Sequence, residues 1–350
     1  MAWSKLRRIT VMMPAAMGLA ALLAAALLAG AAELAQPAPL AEATTRWKLP
    51  EEASESRPAK RQIPVHIGMH VLRLTSLDIT NNQFSLDFWL GFRWKDDGIK
   101  PYARFELTNG KVDFSHVERV DKVGEENYAC VRVQATMSCF WNVERFPLSR
   151  QKLTIEIEDD DLDADQLVYV ADCENCGVDG NFRVAGWRLD GFSSQAIQHD
   201  YTTNYGDPRY PARKNTYFSR ALFSIDLGRS DIFHSFKIFG GLYLAALVAF
   251  TVFFVKPDHR LGLTVGAIFA AVASHTVVAS YLPDAGVLTL ADKLHLVTAI
   301  LILISLFETA YALRLMHSNR EAAYKRLDCV TFWVIAPLFV VSNVWLFAQK

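Results

Sequence analysis

The last third of the chain carries four apolar runs, and each is long enough to leave water. "FKIFGGLYLAALVAFTVFFV" (Phe236 to Val255) is twenty residues, which at ~1.5 Å of helical rise per residue crosses a hydrocarbon core of roughly 30 Å. "LGLTVGAIFAAVASHTVVASYL" (Leu261 to Leu282), "KLHLVTAILILISLFETAYALRL" (Lys293 to Leu315) and "CVTFWVIAPLFVVSNVWLFA" (Cys329 to Ala348) complete the set. The flanking basic residues orient them. Lys256 and Arg260 separate the first two runs, and Arg314, Arg320, Lys325 and Arg326 separate the last two, so both loops are expected in the cytoplasm. The preceding soluble segment, the loop "PDAGVLTLAD" and the C-terminus then face outward.

The chain's start agrees. Lys5, Arg7 and Arg8, an Ala/Leu run from Met12 to Leu28 and the small residues "AGAAE" have the order of a secretory signal, assigned to residues 1–31, with a retained anchor as the alternative. Residues 32–62, rich in Pro, Ala and Glu, read as a flexible linker.

Between Ile63 and Asp231 the pattern changes to that of strands: "MHVLRL", "FSLDFWLGFRW", "YACVRVQATMSCFW", "KLTIEIE", "QLVYVA" and "FSRALFSIDL" are separated by Asn-, Asp- and Gly-containing breaks. In "FSLDFWLGFRW" the strand's period of two places Phe84, Leu86, Phe88, Leu90, Phe92 and Trp94 on one face, which belongs in a core. The other face shows Ser85, Asp87, Trp89, Gly91 and Arg93, either a contact surface or a lone exposed Trp. The expected fold is β + α: an extracellular, immunoglobulin-like antiparallel β-sandwich over residues 63–231, then a four-helix transmembrane domain over 232–350. A net charge of -1 leaves no nucleic-acid footprint, and there is no Gly-rich phosphate loop, nucleophile elbow or His-pair zinc motif. No enzyme is expected.

The second apolar run is the most polar of the four. At 3.6 residues per turn, Asp258, Gly262, Gly266 or Val265, Phe269, Ala273 or Val272, Thr276 and Ser280 fall along one stripe: acidic at the cytoplasmic end, slim above it, apolar at Phe269 and hydroxylated at the outer mouth. Either the small residues serve helix packing, or the stripe faces water in a ring of subunits. His275 and Glu308 are polar within spans, and His275 reads as an interhelical hydrogen bond or a proton sensor.

"FPLSRQKLTIEIE", preceded by "FWLGFRWKDDG", followed by "VAGWRLDGFS" and by four spans with "SYLPDAG" after the second, resembles the pentameric ligand-gated ion channels of the Cys-loop receptor superfamily. The short loop between the third and fourth spans is similar to that of prokaryotic members. The resemblance, covering Ile63 to Lys350, implies a homopentamer of this chain with four identical partners. It also implies a bacterial inner-membrane location with the β domain in the periplasm, and a pore lined by the second span with Asp258 as cation-selecting ring and Phe269 as gate. It implies a small-molecule or ionic agonist held between subunits, by Asp159, Asp161, Tyr201, Tyr205 and Tyr210 of one and by Trp89 and Arg93 of the next. Coupling would run through Phe146, Pro147, Arg229 and Pro283.

This chain departs from the family's pattern at four places. Leu153 replaces the second Cys of the family loop opposite Cys139, and Ser149 stands where an Asp usually pairs with the basic residue here at Arg229. The W-x-P-D signature is missing between Lys95 and Arg104, and Gly240 and Gly241 stand near the usual Pro of the first span.

The acid run "EIEDDDLDADQL" is either a solvated turn or a site for a cationic amine or for Ca²⁺ as a modulator; no cofactor is implied. The Tyr-rich loop is either a cation cage or packing for its own sandwich. Cys173 and Cys176, in "CENC", are expected to form a local disulfide in an oxidising compartment; Cys130 and Cys139 are a second pairing that spacing leaves open. A non-conducting receptor or scaffold of the same fold is the rival reading, and a membrane-tethered metalloenzyme using the acid run the more distant one.

Overall fold

The computed structural model describes residues 62–203, 206, 216–229, 232–283 and 286–349. The expected signal segment, nearly all of the linker, Tyr205 and Tyr210 lie outside the described residues. The chain divides into a β unit and a helical unit.

The β unit is a sandwich of two sheets. Strands β1 (Ile63–Asp78), β2 (Gln83–Trp94), β4 (Gly110–Val123), β5 (Glu126–Ser138), β7 (Leu167–Ala171) and β8 (Gly177–Val178) form a six-stranded sheet with the path β4-β5-β2-β1-β7, β8 also pairing with β1. Strands β3 (Phe105–Leu107), β6 (Gln151–Asp159), β10 (Thr216–Arg229) and β9 (Trp187–Tyr201) form the second, in the order β3-β6-β10-β9. The antiparallel expectation is corrected at one edge, where β7 and β8 run parallel to β1. Parallel neighbours need a long crossover, and the chain between β1 and β7 supplies it by passing through both sheets.

The alternation read in β2 is the core's axis. Phe84, Leu86, Phe88, Leu90 and Phe92 are fully buried, facing Leu153, Ile155 and Ile157 of β6 and Phe223, Ile225 and Leu227 of β10. At roughly 1.5–3 kcal/mol per buried large apolar side chain, this row and the residues it faces are a major part of what holds the two sheets together. Strands β4 and β9 are sheet edges; β4 is exposed along nearly its whole length, while β9 sends Trp187 and Phe192 against the core.

The helical unit has four long helices: α1 (Ile232–Thr251), α2 (Arg260–Ala279), α3 (Leu290–His317) and α4 (Glu321–Ala348). All four are long and apolar enough to cross a membrane. Helix α3 begins with a capping box, Thr289 accepting from the Asp292 N–H and Asp292 accepting from that of Thr289. The unit's core is slim, with Ala245, Ala246 and Ala249 of α1 and Ala267 and Ala271 of α2 in one buried cluster, the small-residue packing common between helices in lipid.

One polar knot binds this unit. Arg260, the first residue of α2, is 1% exposed. Its guanidinium donates to Asp328 of α4 at 2.6 and 2.8 Å, to Glu308 of α3 at 3.2 and 3.3 Å, and to the Val255 carbonyl at 2.6 Å. Three helices and the α1–α2 turn thus share one cation. Arg260→Ala leaves two buried carboxylates without their counter-charge, and such a loss costs about 3–5 kcal/mol. The variant is expected to unfold at clearly lower temperature in detergent; an unchanged midpoint would mean that the knot carries no net stability.

Candidate functional site

Three features bear on function: a recess on the six-stranded sheet, the acid run on the other sheet, and the stripe on α2.

The recess is made by a row of small residues. The register aligns Gly68 of β1, Gly91 of β2 and Cys130 of β5 across three strands, on the sheet's outer face. On one side the aligned row is His66, Arg93 and Tyr128, and on the other His70, Trp89 and Arg132. Two glycines opposite one another leave a hollow that the flanking large side chains wall, about 380 Å³ in volume. Trp89 and Arg93 therefore stand on opposite rims of one depression.

Ion pairs hold both rims. Asp87 lies on the outward face of β2, yet it is 0% exposed. Its carboxylate accepts from Arg73 at 2.9 Å and from Arg132 at 2.9 and 3.1 Å, and the Arg132 contact foremost holds its pKa below the usual carboxylate range. Arg132 in turn lies over the Trp89 ring at 5.8 Å. Arg93 donates to Asp172 at 2.8 Å, and Asn175 donates to the same carboxylate at 2.9 and 3.0 Å. Burial pushes the Asp172 carboxyl up, but these bonds outweigh it and leave the net shift downward.

The acid run is compensated from within. Arg104 donates to Asp160 at 3.0 Å and to Asp161 at 2.6 Å. Arg220 of β10 donates to Glu158 at 2.6 Å and to Glu156 at 2.5 Å, and the Tyr201 hydroxyl donates to Glu158 at 2.9 Å. Burial and that bond push the Tyr201 phenol up to about 12. The Tyr201 ring packs edge-on against His199 and Phe218 of its own sheet. Asp159 caps the turn, one oxygen accepting from the Asp161 and Leu162 N–H groups at 3.1 and 2.8 Å, while the other is buried without a partner. Among the described residues no group of three or more His, Cys, Asp and Glu is arranged to hold a metal ion. Asp159, Asp161 and Tyr201 thus gather around Arg104 and Arg220 on one sheet, and Trp89 and Arg93 around the recess on the other.

On α2 the stripe is open. Asp258, Gly262, Gly266, Phe269, Ala273, Thr276 and Ser280 are all exposed in the single chain, Phe269 by 71%, whereas Arg260, Thr264, Ala267, Ala271 and Val278 are buried against the bundle. Asp258 and His259 lie 3.7 Å apart in the 3-10 turn that precedes the helix. His275 makes an interhelical contact, its Nε2 3.4 Å from Asp292 of α3, beside His295.

Of the residues expected in coupling, Phe146 and Pro147 are buried and joined by a cis peptide bond. Arg229, whose pKa burial lowers to about 10, stacks on the Trp187 ring at 3.8 Å. Ser149 is buried, with its hydroxyl unpartnered. Pro283 lies in the loop after α2. The expected Cys173–Cys176 disulfide is corrected: both are free thiols, as are Cys130 and Cys139. Each sulfur faces other partners, Cys176 Sγ accepting the Met69 N–H at 3.3 Å and Cys173 Sγ the Ser194 hydroxyl at 3.4 Å.

The sequence singled out Trp89, Arg93 and the α2 stripe, and did not single out Gly68, Tyr128, Arg132, Asp172, Arg104 and Arg220, which the structure places around them and around the acid run. Gly68 carried a signal, since a glycine inside an alternating strand marks a hollow or a close approach. The arginine partners carried none, because their pairing is set by register across distant strands.

A sandwich of two sheets followed by four apolar helices is the architecture of a multi-pass membrane protein with a soluble β domain. No family model matches the chain. Among curated proteins it is similar to the gamma-aminobutyric acid receptor subunit rho-3 of Homo sapiens, 20% identical over 276 residues, covering 71% of this chain and 57% of that subunit. The chain spans little more than half the length of the relative it matches.

Burial raises the Asp159 carboxyl above its ordinary range, against the opposing pull of the Leu162 and Asp161 N–H groups and of Arg104. The folded state therefore holds this proton more tightly than the unfolded one. Its stabilising contribution is complete below the unfolded range and is lost as pH rises through the raised folded value. Asp159→Asn keeps the accepting oxygen and carries no charge. Relative to wild type it is expected to gain stability as pH rises from acid toward neutral, measured by urea unfolding at a series of pH values; a difference that stays flat with pH would remove this role.

Proposed function

We propose that this chain is the subunit of a ligand-gated ion channel, a homopentamer with the α2 stripe turned to the five-fold axis. The observation that carries the reading is that stripe. A row of glycine, alanine, threonine and serine left uncovered on a membrane-length helix gains little from lipid, and it suits a water-filled path shared by identical neighbours. The likeness to a gamma-aminobutyric acid receptor subunit supports it.

On this reading five Phe269 rings at one level make an apolar throat that gates by dewetting. Asp258 supplies a cation-selecting ring at the cytoplasmic mouth. Arg260 does not oppose it, because its charge is spent on Asp328 and Glu308 behind the helix. The recess between Trp89 and Arg93 is one half of an agonist site, and the Asp159, Asp161 and Tyr201 side of the next subunit is the other. Their placement on different sheets of one chain suits a site completed between chains. Agonist binding would shift a closed-open equilibrium, with Phe146, Pro147, Arg229 and Pro283 in the coupling path. The setting is a bacterial inner membrane with the β unit in the periplasm.

Current through the purified protein in a planar bilayer under a salt gradient tests the reading, with outer pH, primary amines and Ca²⁺ varied in turn. Opening with a cation-sided reversal potential is the expected result, and silence from confirmed pentamers would refute it. Phe269→Ala is expected to raise the current without agonist several-fold; an unchanged closed conductance would count against the gate. Asp258→Ala is expected to move the reversal potential toward zero, and no shift would take selectivity away from that ring.

A further inference from the structure

The turn that holds Cys173 and Cys176 occupies a gap in a sheet. Strand β1 pairs with β7 from Ile63 to Ile67 and with β8 at His70 and Val71, and between them the ladder is broken by a single 3-10 turn, Cys173–Asn175. At Met69 the missing strand is replaced by sulfur, since the Met69 N–H donates to Cys176 Sγ at 3.3 Å. Ser194 Oγ donates to Cys173 Sγ at 3.4 Å. Residues three apart on a 3-10 turn lie one above the other, within the ~4.4–6.8 Å Cα separation that a disulfide requires.

The same turn is a wall of the recess. Asp172, just before Cys173, holds Arg93, and Asn175, between the two cysteines, holds Asp172. A methyl group placed on Gly68, in the recess floor, would lie 3.8 Å from the Asn175 carbonyl oxygen and 3.9 Å from Cys176 Sγ. Closing a bond between the cysteines must turn Cys176 Sγ away from the Met69 N–H and re-seat Asn175 and Asp172, and with them the partner of Arg93.

We infer that Cys173 and Cys176 are a reversible redox modification site, a dithiol whose oxidation by a low-molecular-weight disulfide reshapes the recess. Cys173 is exposed and Cys176 half-buried, with burial pushing the Cys176 thiol up, so exchange begins at Cys173. Its thiolate attacks one sulfur of the small disulfide, RSSR, forms a mixed disulfide and displaces one RS⁻. The Cys176 thiolate then attacks Cys173 Sγ, forms the intramolecular S–S bond and displaces the second RS⁻. Two protons and two electrons leave the protein, and RSSR becomes two RSH. That the recess binds an agonist is the proposed function above; the chemistry and the change of shape stand without it.

The test uses the full chain in detergent, reduced, desalted and incubated across a series of oxidised-to-reduced glutathione ratios, then quenched and digested. The peptide holding residues 173–176 is expected to lose two hydrogens in mass, to recover them with dithiothreitol, and to show no internal crosslink in Cys173→Ser. Cys130, in the recess floor, reports on shape. Its alkylation by a maleimide, read on its own peptide, is expected to change in rate by about threefold or more between the oxidised and reduced forms of wild type and not at all in Cys173→Ser. Both thiols surviving the whole series, or a crosslink that leaves the Cys130 rate unchanged, would overturn the inference. Neither readout uses current, so a silent bilayer would defeat the channel reading and leave this one standing.

Discussion

A carboxylate sealed under two arginines sets the outer face of the six-stranded sheet. Asp87 projects from β2 away from the core, but Arg73 and Arg132 close over it. Stranding such a charge costs several kcal/mol, whereas an arginine on an aromatic face gains about 0.5–2. The order of dependence follows from those magnitudes. Asp87 decides where Arg132 lies, Arg132 decides where Trp89 rests, and the rim of the recess is fixed before any ligand arrives. The opposite rim repeats the logic more weakly, with the partly exposed Arg93 held by Asp172 and Asp172 held by Asn175. One rim is therefore rigid and the other adjustable.

Helix α2 divides the same two tasks between its faces. Its buried face begins at Arg260, whose charge is consumed by two other helices, and continues through Thr264, Ala267 and Ala271, small enough to let α1 and α3 approach. The open face carries Gly262, Gly266 and Ala273 with the Phe269 ring among them, and Leu261, Val265, Val272 and Val277 are exposed beside it in the single chain. Near its outer end the helix is held again, by contacts of Ser274 with His295 and of His275 with Asp292 on α3. Arg260 lies within one turn of Asp258, so the polar knot sits beside the acidic end.

The legible parts of this molecule are those where one face of an element meets one solvent. Strand β2 announced its core row because every second residue is large and apolar, and the four helices announced themselves by length. The α2 stripe was legible for the same reason, a period of 3.6 with small residues in register. Strands β4 and β9 were not read at all: both are sheet edges, β4 exposed along nearly its whole length, and stretches such as "VDFSHVERVDKV" have no apolar face to alternate. The recess was half legible. Trp89 and Arg93 stood out on β2, but the glycine opposite Gly91 and the cysteine beyond it come into line only through pairings that join positions tens of residues apart.

The acid run shows why residue type alone misleads about charge. Six carboxylates between Glu156 and Asp163 look like a cation site in sequence, yet Arg220 reaches Glu156 and Glu158 from β10, and Arg104 reaches Asp160 and Asp161 from the turn before β3. Any incoming ammonium group would have to displace a guanidinium already seated at hydrogen-bond distance, and would recover at best what it removed. The second oxygen of Asp159 is buried without a partner, and burial raises that carboxyl above its ordinary range. For an agonist seated between neighbouring subunits, as proposed here, the acid side offers shape and one hydrogen bond more than charge. Recognition then falls on the recess, where Trp89 and Tyr128 present aromatic surface and Arg93 can exchange Asp172 for a ligand oxygen.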